Sequence, residues 1–383
     1  MKSTEFTIDM PGELVSIEGG EAFVPAPLPP KINLQLRIIK LLVEAERAMG
    51  ELSGMGRRLP NPHLLIGPFL HREAILSSRI EGTHATAKEL VLFEAMPQSL
   101  STADVKEVAN YVQAIKHGLA RLKELPVCLR LIKELHEILL KGVRGDQHRP
   151  GEFRDEQNLI GEQGQSPVQA RFVPPPHKDM TEALYALEKY MATPTDIPVL
   201  IQLALIHYQF ETIHPFMDGN GRIGRLLTTL LLCERGCLPY PLLYLSAYFE
   251  RNRDAYMDAL LFVTQRGSWE DWIIFFLRGV LEQAKDAIAR TERLCRLWDD
   301  YRRRLQSARS SGLSLQLVDK LFEYPVITVP QAEKWLQVTT HTAQNNIDKL
   351  VKSGIIVETT GQKRNRLYIA PEIVESIEAE NYQ

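Results

Sequence analysis

Between Ile213 and Leu226 the chain reads I-H-P-F-M-D-G-N-G-R-I-G-R-L, a run whose His, Asp, Gly, Asn and Arg residues together suit work on a phosphate. His214 carries the side chain whose ordinary pKa fits proton abstraction near neutrality. Pro215 disfavours helical dihedrals at His214, so the preceding helix is expected to end there and the chain to turn. Asp218-Gly219-Asn220-Gly221 supplies residues that tolerate left-handed backbone, and Ile223, Leu226, Leu227 and Leu230 then set a helical apolar period. The expected object is a nest of N–H groups at a helix amino terminus, suited to an anion. Arg222 and Arg225 fall at the start of that helix, where positive charge opposes the macrodipole at a cost on the order of 0.3 to 1 kcal/mol each. An anion in the nest reverses that sign. Asp218 adds a hard oxygen of the kind magnesium uses between phosphates and protein. Base, nest, forked cations and metal ligand together read as a phosphate-transfer site. Each part is commonplace alone; their conjunction between His214 and Arg225 is not. No H-E-x-x-H accompanies them to suggest a metal hydrolase, and no G-x-x-x-x-G-K-(S/T) loop occurs in the chain.

The elements that must hold this run are mostly helices. Residues 1–31, with Pro11, Pro25, Pro27, Pro29 and Pro30, read as an extended arm. Helical periodicity begins at Ile32 and recurs over Leu70–Ile80, Ala87–Ala95, Asp104–Leu125 and Leu129–Lys141. Gly151–Pro176 breaks it with two central glycines between apolar runs and reads as a β-hairpin with a stiff exit. Helices are expected again over His177–Met191, Pro198–Thr212, Gly221–Leu232, Ser246–Thr264 and Trp269 to about Leu305. Ser307–Gly312 is a linker candidate. After it, Thr328 and Thr339 can cap two helices, Gly354 ends the second, and strand-like runs at Ile355–Thr359 and Arg366–Ile369 flank a turn, which suggests a winged helix-turn-helix. The fold class expected is mainly α, with a β-hairpin flap and this small second domain. Three segments are drawn: 1–100, 101–306 and 313–376.

The 383 residues exceed one ordinary domain, and 44% hydrophobic with 24% charged residues matches an ordinary globular protein. A net charge of -3 argues against bulk-charge binding to nucleic acid or anionic lipid. The most apolar stretch, Leu226–Cys233, stops at Glu234 far short of a membrane span. The amino terminus carries acids where a signal peptide needs basic and then apolar residues. Cys128, Cys233, Cys237 and Cys295 make neither a disulfide framework nor a zinc set. A cytoplasmic protein with reduced thiols is expected.

The run His214–Arg225 matches in full the HPFx(D/E)GNGRxxR signature of Fic proteins, and from about Leu64 to Leu281 the chain resembles that family, with its Gly151-Glu152-Phe153-Arg154 and Val173-Pro174-Pro175-Pro176 pieces. The family fold is helical, and most members transfer AMP from ATP to a protein hydroxyl. The resemblance implies that His214 deprotonates a Tyr, Thr or Ser hydroxyl and Asp218 holds Mg2+. It implies that Gly219, Asn220 and Gly221 cradle the phosphates while Arg222 and Arg225 grip the β and γ ends, with Ile223 and Gly224 also in the nucleotide-binding run. A branch that transfers phosphate has Lys where this chain has Gly221, which favours AMP transfer. The hairpin near Leu159, Ile160 and Gly161 looks like the family flap, which holds the target as an added strand. Self-modification is one outcome of such chemistry.

Ser77-Ser78-Arg79-Ile80-Glu81-Gly82 matches the (S/T)xxxE(G/N) inhibitory motif of the same family in its amino-terminal position. The resemblance implies that Glu81, on one helix face with Ser77, pairs with Arg225 and denies it to the γ-phosphate. Some members also use this Glu to remove AMP, and transfer from another nucleotide donor is open too. Asn252 and Tyr256 are candidate contacts to the base. The rival reading is a DNA-binding regulator with the Fic core as sensor. It would place Thr340, His341, Gln344, Asn345 and Lys349 in a groove and Lys363, Arg364 and Arg366 on phosphate. Residues 313–383 hold seven basic and nine acidic residues, a poor balance for DNA. Protein docking or homodimer formation are the other uses of that module.

Overall fold

The computed structural model describes residues 1, 3–58, 63–96, 102–161, 164–307, 311–362 and 366–379. Within them the chain forms fifteen α-helices and five strands. In order these are β1 (Gly12–Ile17), β2 (Gly20–Pro25), α1 (Leu36–Arg58), α2 (His63–Ile80), α3 (Ala87–Ala95), α4 (Ala103–Arg121), α5 (Leu129–Leu140), α6 (His177–Ala192), α7 (Val199–Ile213), α8 (Asn220–Glu234), α9 (Ser246–Arg251), α10 (Arg253–Arg266) and α11 (Trp269–Ser307). There follow α12 (Gly312–Glu323), β3 (Val326–Thr328), α13 (Val329–Leu336), α14 (Thr340–Lys352), β4 (Val357–Glu358), β5 (Leu367–Ile369) and α15 (Pro371–Glu378). No helix among the described residues is long and apolar enough to cross a membrane.

Packing groups these elements into two compact units that cut across the three segments drawn along the chain. One is Met1–Gly50, Asn110–Leu238 and Leu243–Ala284; the other is Glu51–Ala109, Pro239–Leu242 and Lys285–Gln383. The first is built around α7, whose residues are apolar on all sides and almost entirely buried. Helices α6, α8 and α10 and strand β2 pack on it, and Trp272 Nε1–H donates to the Ala204 carbonyl at 2.8 Å.

The amino-terminal segment corrects the extended-arm expectation. It forms an antiparallel hairpin of β1 and β2, in register from Gly12↔Pro25 to Ile17↔Gly20. Gly19, at φ 80°, takes the left-handed turn position. The partner for its apolar face lies far along the chain: Phe23 is fully buried in a cluster with Ala170, Phe172 and Val173, and its N–H donates to the Val173 carbonyl at 3.0 Å.

Among the described residues the expected hairpin at Gly151–Pro176 shows a single antiparallel pair, Ile160↔Phe172. Beyond Phe172 the second leg spends its carbonyls elsewhere. Val173 O goes to Phe23, Pro174 O accepts from Gln157 Nε2 at 2.8 Å, and Pro175 O accepts from Arg154 Nη2 at 2.6 Å. Residues 162 and 163 lie outside the described set.

In the second unit α2 packs against α12, α15 and α3. Gly67 permits the close approach, since a Cβ there would stand 2.8 Å from the Phe322 carbonyl oxygen. Thr328 and Thr339 cap α13 and α14 by accepting from Gln331 N–H and Thr342 N–H. Strands β3, β5 and β4 form one antiparallel sheet in that order. Of the residues the regulator reading needs, Thr340, His341, Asn345 and Arg366 are exposed and Lys349 is half-buried. Gln344 Nε2 instead donates to Asp348 Oδ1 at 2.8 Å and Tyr368 Oη at 3.2 Å. Lys363 and Arg364 lie outside the described residues.

Candidate active site

The turn between α7 and α8 has the expected shape. His214 ends α7 in the left-handed region, φ 49° and ψ 61°, with its N–H on the Phe210 carbonyl. Gly219, at φ 79°, opens α8. A side chain there would be strained, and its Cβ would lie 3.3 Å from Leu139 Cδ2. The N–H groups of the first turn of α8 point away from the helix, the arrangement that attracts anions.

The imidazole of His214 is oriented by its own helix. Nδ1 lies 3.2 Å from the Glu211 carbonyl oxygen. A carbonyl only accepts, so Nδ1 carries the proton and the basic lone pair is at Nε2. The side chain of Asn220, buried, is taken up inside the loop: it accepts from Phe216 N–H and donates to Phe216 O, both at 2.8 Å. Its contribution is to the loop's shape, and its backbone stays in the nest.

Asp218 Oδ1 accepts from Gly219 N–H at 2.6 Å and stands 3.5 Å from Arg222 Nη2. No cluster of three or more His, Cys, Asp or Glu suited to a metal occurs among the described residues. One partly exposed carboxylate beside a phosphate nest fits a magnesium ion that takes its other oxygens from a nucleotide and water. Arg222 and Arg225 are 0% and 3% exposed. Their charges stand buried at the start of α8, where they favour an anion in the nest. Gly224 is pressed by Glu211: a Cβ there would fall on its Oε1. Ile223 is core.

Three further side chains hold this loop, and none was singled out from sequence. His136, on α5, stacks on Phe216 with ring centroids 3.7 Å apart. Its Nδ1 accepts from Gly151 N–H at 2.9 Å, which leaves Nε2–H to donate to the Asp218 carbonyl at 3.0 Å. Asn158 Nδ2 donates to the Phe216 carbonyl at 2.9 Å. Arg154 Nε donates to the His214 carbonyl at 2.9 Å. The sequence offered a signal for Arg154 alone, in its family-like GEFR piece; the others act on main-chain groups that side-chain spacing does not reveal.

Burial, helped by the Arg222 charge, pushes His136 down to about 4 from its usual 6.5. The unfolded chain therefore binds a proton here between those values that the folded protein refuses, so this stability is present above pH 6.5 and lost as pH falls through about 4. Between pH 7 and 4.5 the stability gap between wild type and His136→Asn should narrow by about 2 kcal/mol, measured by urea unfolding. A gap that does not change with pH would contradict the neutral strut.

The base-contact candidates separate. Asn252, half-buried between α9 and α10, donates Nδ2–H to the Tyr248 carbonyl at 2.9 Å. Tyr256 is 1% exposed and stacks on Phe249. Its hydroxyl donates to His207 Nε2 at 2.8 Å, since His207 Nδ1–H is directed at the Gly224 carbonyl. As placed, Tyr256 supports α8 from behind. Leu159, Ile160 and Gly161 stand on the first leg of the flap in the same unit as His214. Ser77 and Glu81 belong to the other unit. Ser77 is fully buried in α2, and Glu81 lies in the turn just past its end, with Gly82 at φ 85°.

A histidine at a helix–loop–helix turn, a glycine-led helix start and two buried arginines on a helical scaffold are what the comparisons can be set against. Residues 39–120 match the Fic/DOC family N-terminal region and residues 126–232 the Fic/DOC family itself, so this part of the chain belongs to that family. Over 188 residues it is 30% identical to a protein of Aquifex aeolicus named a probable protein adenylyltransferase, covering 49% of this chain and 53% of that one. Over 136 residues it is 33% identical to protein adenylyltransferase Fic of Drosophila virilis, covering 35% of this chain and 26% of that one. The chain thus spans about half of the first relative and a quarter of the second. In fold it is similar to a Fic family protein from Desulfovibrio desulfuricans, with a TM-score of 0.58 at 17% identity over 90% of this chain and 98% of that one. A Fic domain-containing signalling protein from Bacteroides thetaiotaomicron gives 0.53 at 18%, over 67% and 97%.

Proposed function

We propose that this protein is an ATP- and magnesium-dependent protein adenylyltransferase, restrained by Glu81. The hydroxyl oxygen of a target Tyr, Thr or Ser bonds to the α-phosphorus of ATP, the bond from that phosphorus to the bridging oxygen breaks, and pyrophosphate departs. His214 Nε2 takes the hydroxyl proton. The observation that carries this reading is the contact of His214 Nδ1 with the Glu211 carbonyl, which leaves Nε2 as the basic nitrogen, six residues before the first residue of a nest-bearing helix. The Asn220 and Gly221 N–H groups with Arg222 and Arg225 bind the phosphates, and Gly219, whose N–H is taken by Asp218, gives the cradle its turn. Asp218 would hold magnesium, which offsets phosphate charge when bound.

The flap aligns the target. Ile160 spends both its N–H and its C=O on Phe172, so Leu159 and Gly161 turn their main-chain groups to the opposite edge, where a target segment adds as a strand. The test uses ATP labelled at the α- or the γ-phosphate. Label retained on protein from the α position alone supports adenylyl transfer; retention from γ alone means phosphate transfer.

A second reading is favoured by the helix, strand, two-helix and hairpin order of α12 through β5, which is that of a winged helix. If it reads DNA, the full-length protein should shift labelled duplex at low salt. No shift would leave the module to protein docking or dimer formation.

A further inference from the structure

We propose that Arg154 is a positioning residue for this reaction: its buried guanidinium, spread over the carbonyls of Glu156, Pro175 and His214, fixes the His214 imidazole with its lone pair at Nε2 and ties both legs of the flap to the catalytic turn. The inference deepens the adenylyltransferase reading and rests on it for the catalytic consequence.

Arg154 is 2% exposed. Nη1 donates to Glu156 O at 3.1 Å, Nη2 to Pro175 O at 2.6 Å and, at 3.5 Å, to Ile213 O, and Nε to His214 O at 2.9 Å. Glu156 lies on the first leg of the flap and Pro175 on the second. The main chain of Arg154 joins the same point: its N–H donates to Pro215 O at 2.9 Å and its carbonyl accepts from His177 Nδ1–H at 2.7 Å. The side-chain bonds to carboxylates nearby belong to another arginine, Arg149, which holds Asp155. A planar fork of donors that stays charged can serve several carbonyls in different directions; an ammonium on a single point cannot.

His214 needs such a hold. Its left-handed backbone is costly for a residue with a Cβ and persists only where neighbours over-determine it. The bonds from Arg154 and Asn158 to the His214 carbonyl supply that constraint. If the residue relaxes, Nδ1–H leaves the Glu211 carbonyl and the imidazole is free to carry its proton on either nitrogen. The base is then displaced from the flap that presents its substrate, and misplacement by about 1 Å can cost on the order of 10²-fold in rate.

The experiment reads the His214 tautomer in the full chain labelled with ¹⁵N-histidine, using long-range ¹H–¹⁵N correlation and the His214→Ala spectrum for assignment. Wild type should show the proton on Nδ1; a proton on Nε2 overturns the proposal without any variant. Arg154→Lys and Arg154→Gln, with folding checked by circular dichroism, should show mixed tautomers in whichever folds. In a Glu81→Gly background the folded variant should lose roughly 10²-fold in kcat with KM for ATP within about threefold, and adding His214→Ala should cost little more. An unshifted tautomer with full transfer sinks the clamp and leaves the adenylyltransferase reading standing. A shifted tautomer in a chain that transfers nothing in any background supports the clamp and sinks that reading.

Discussion

Incubated with ATP and magnesium, the Glu81→Gly protein should incorporate adenylyl groups roughly 10- to 100-fold faster than wild type. The magnitude follows from what Glu81 is proposed to withhold. A carboxylate fits the guanidinium fork about as well as a phosphate oxygen does. A hydrogen bond to a charged group contributes about 1.5 to 3 kcal/mol, and each 1.4 kcal/mol is tenfold in rate. On that proposal Arg225 serves the γ-phosphate only once the Glu81 carboxylate is removed. Intact-mass spectrometry on the protein and on added target proteins measures the gain. Equal incorporation by the two forms would remove Glu81 from any inhibitory role.

In the same activated background, His214→Ala should lower transfer by about 10²- to 10⁴-fold, the usual range for a positioned general base. The loss should fall on kcat, because the nest of α8 and both arginines are untouched. ATP binding, followed by calorimetry, should change little. If the double variant still accumulates adenylyl groups at the Glu81→Gly rate, the base is another residue and the reading of Nε2 fails.

The turn at His214–Arg225 was legible because its chemistry is contiguous: proline, glycines and helix start are local rules, and the structure ends α7 at His214 and places Gly219 in the left-handed region, while the left-handed backbone of His214 itself, which a following proline does not ask for, was not foreseen. The helices were legible for the same reason, with α3 found at Ala87–Ala95 and α5 at Leu129–Leu140. What depends on distant partners was not. Prolines in residues 1–31 pointed to an arm, yet Phe23 finds Phe172 and Val173 about 150 positions away and a hairpin forms. His136 and Asn158 serve main-chain carbonyls, so no pairing of side chains along the sequence announces them. Tyr256 has the chemistry of a base contact but is committed to His207, and only packing distinguishes the two.

The order in which the chain is made gives the two units different histories. Everything in the first unit, His214 included, is synthesised by residue 284, whereas the helix that carries Ser77 awaits α12 and α15 from the last hundred residues. At about 5 to 20 residues per second that interval lasts about 5 to 20 s. For those seconds a nascent chain can hold the first unit complete while α2 has not met its own packing partners.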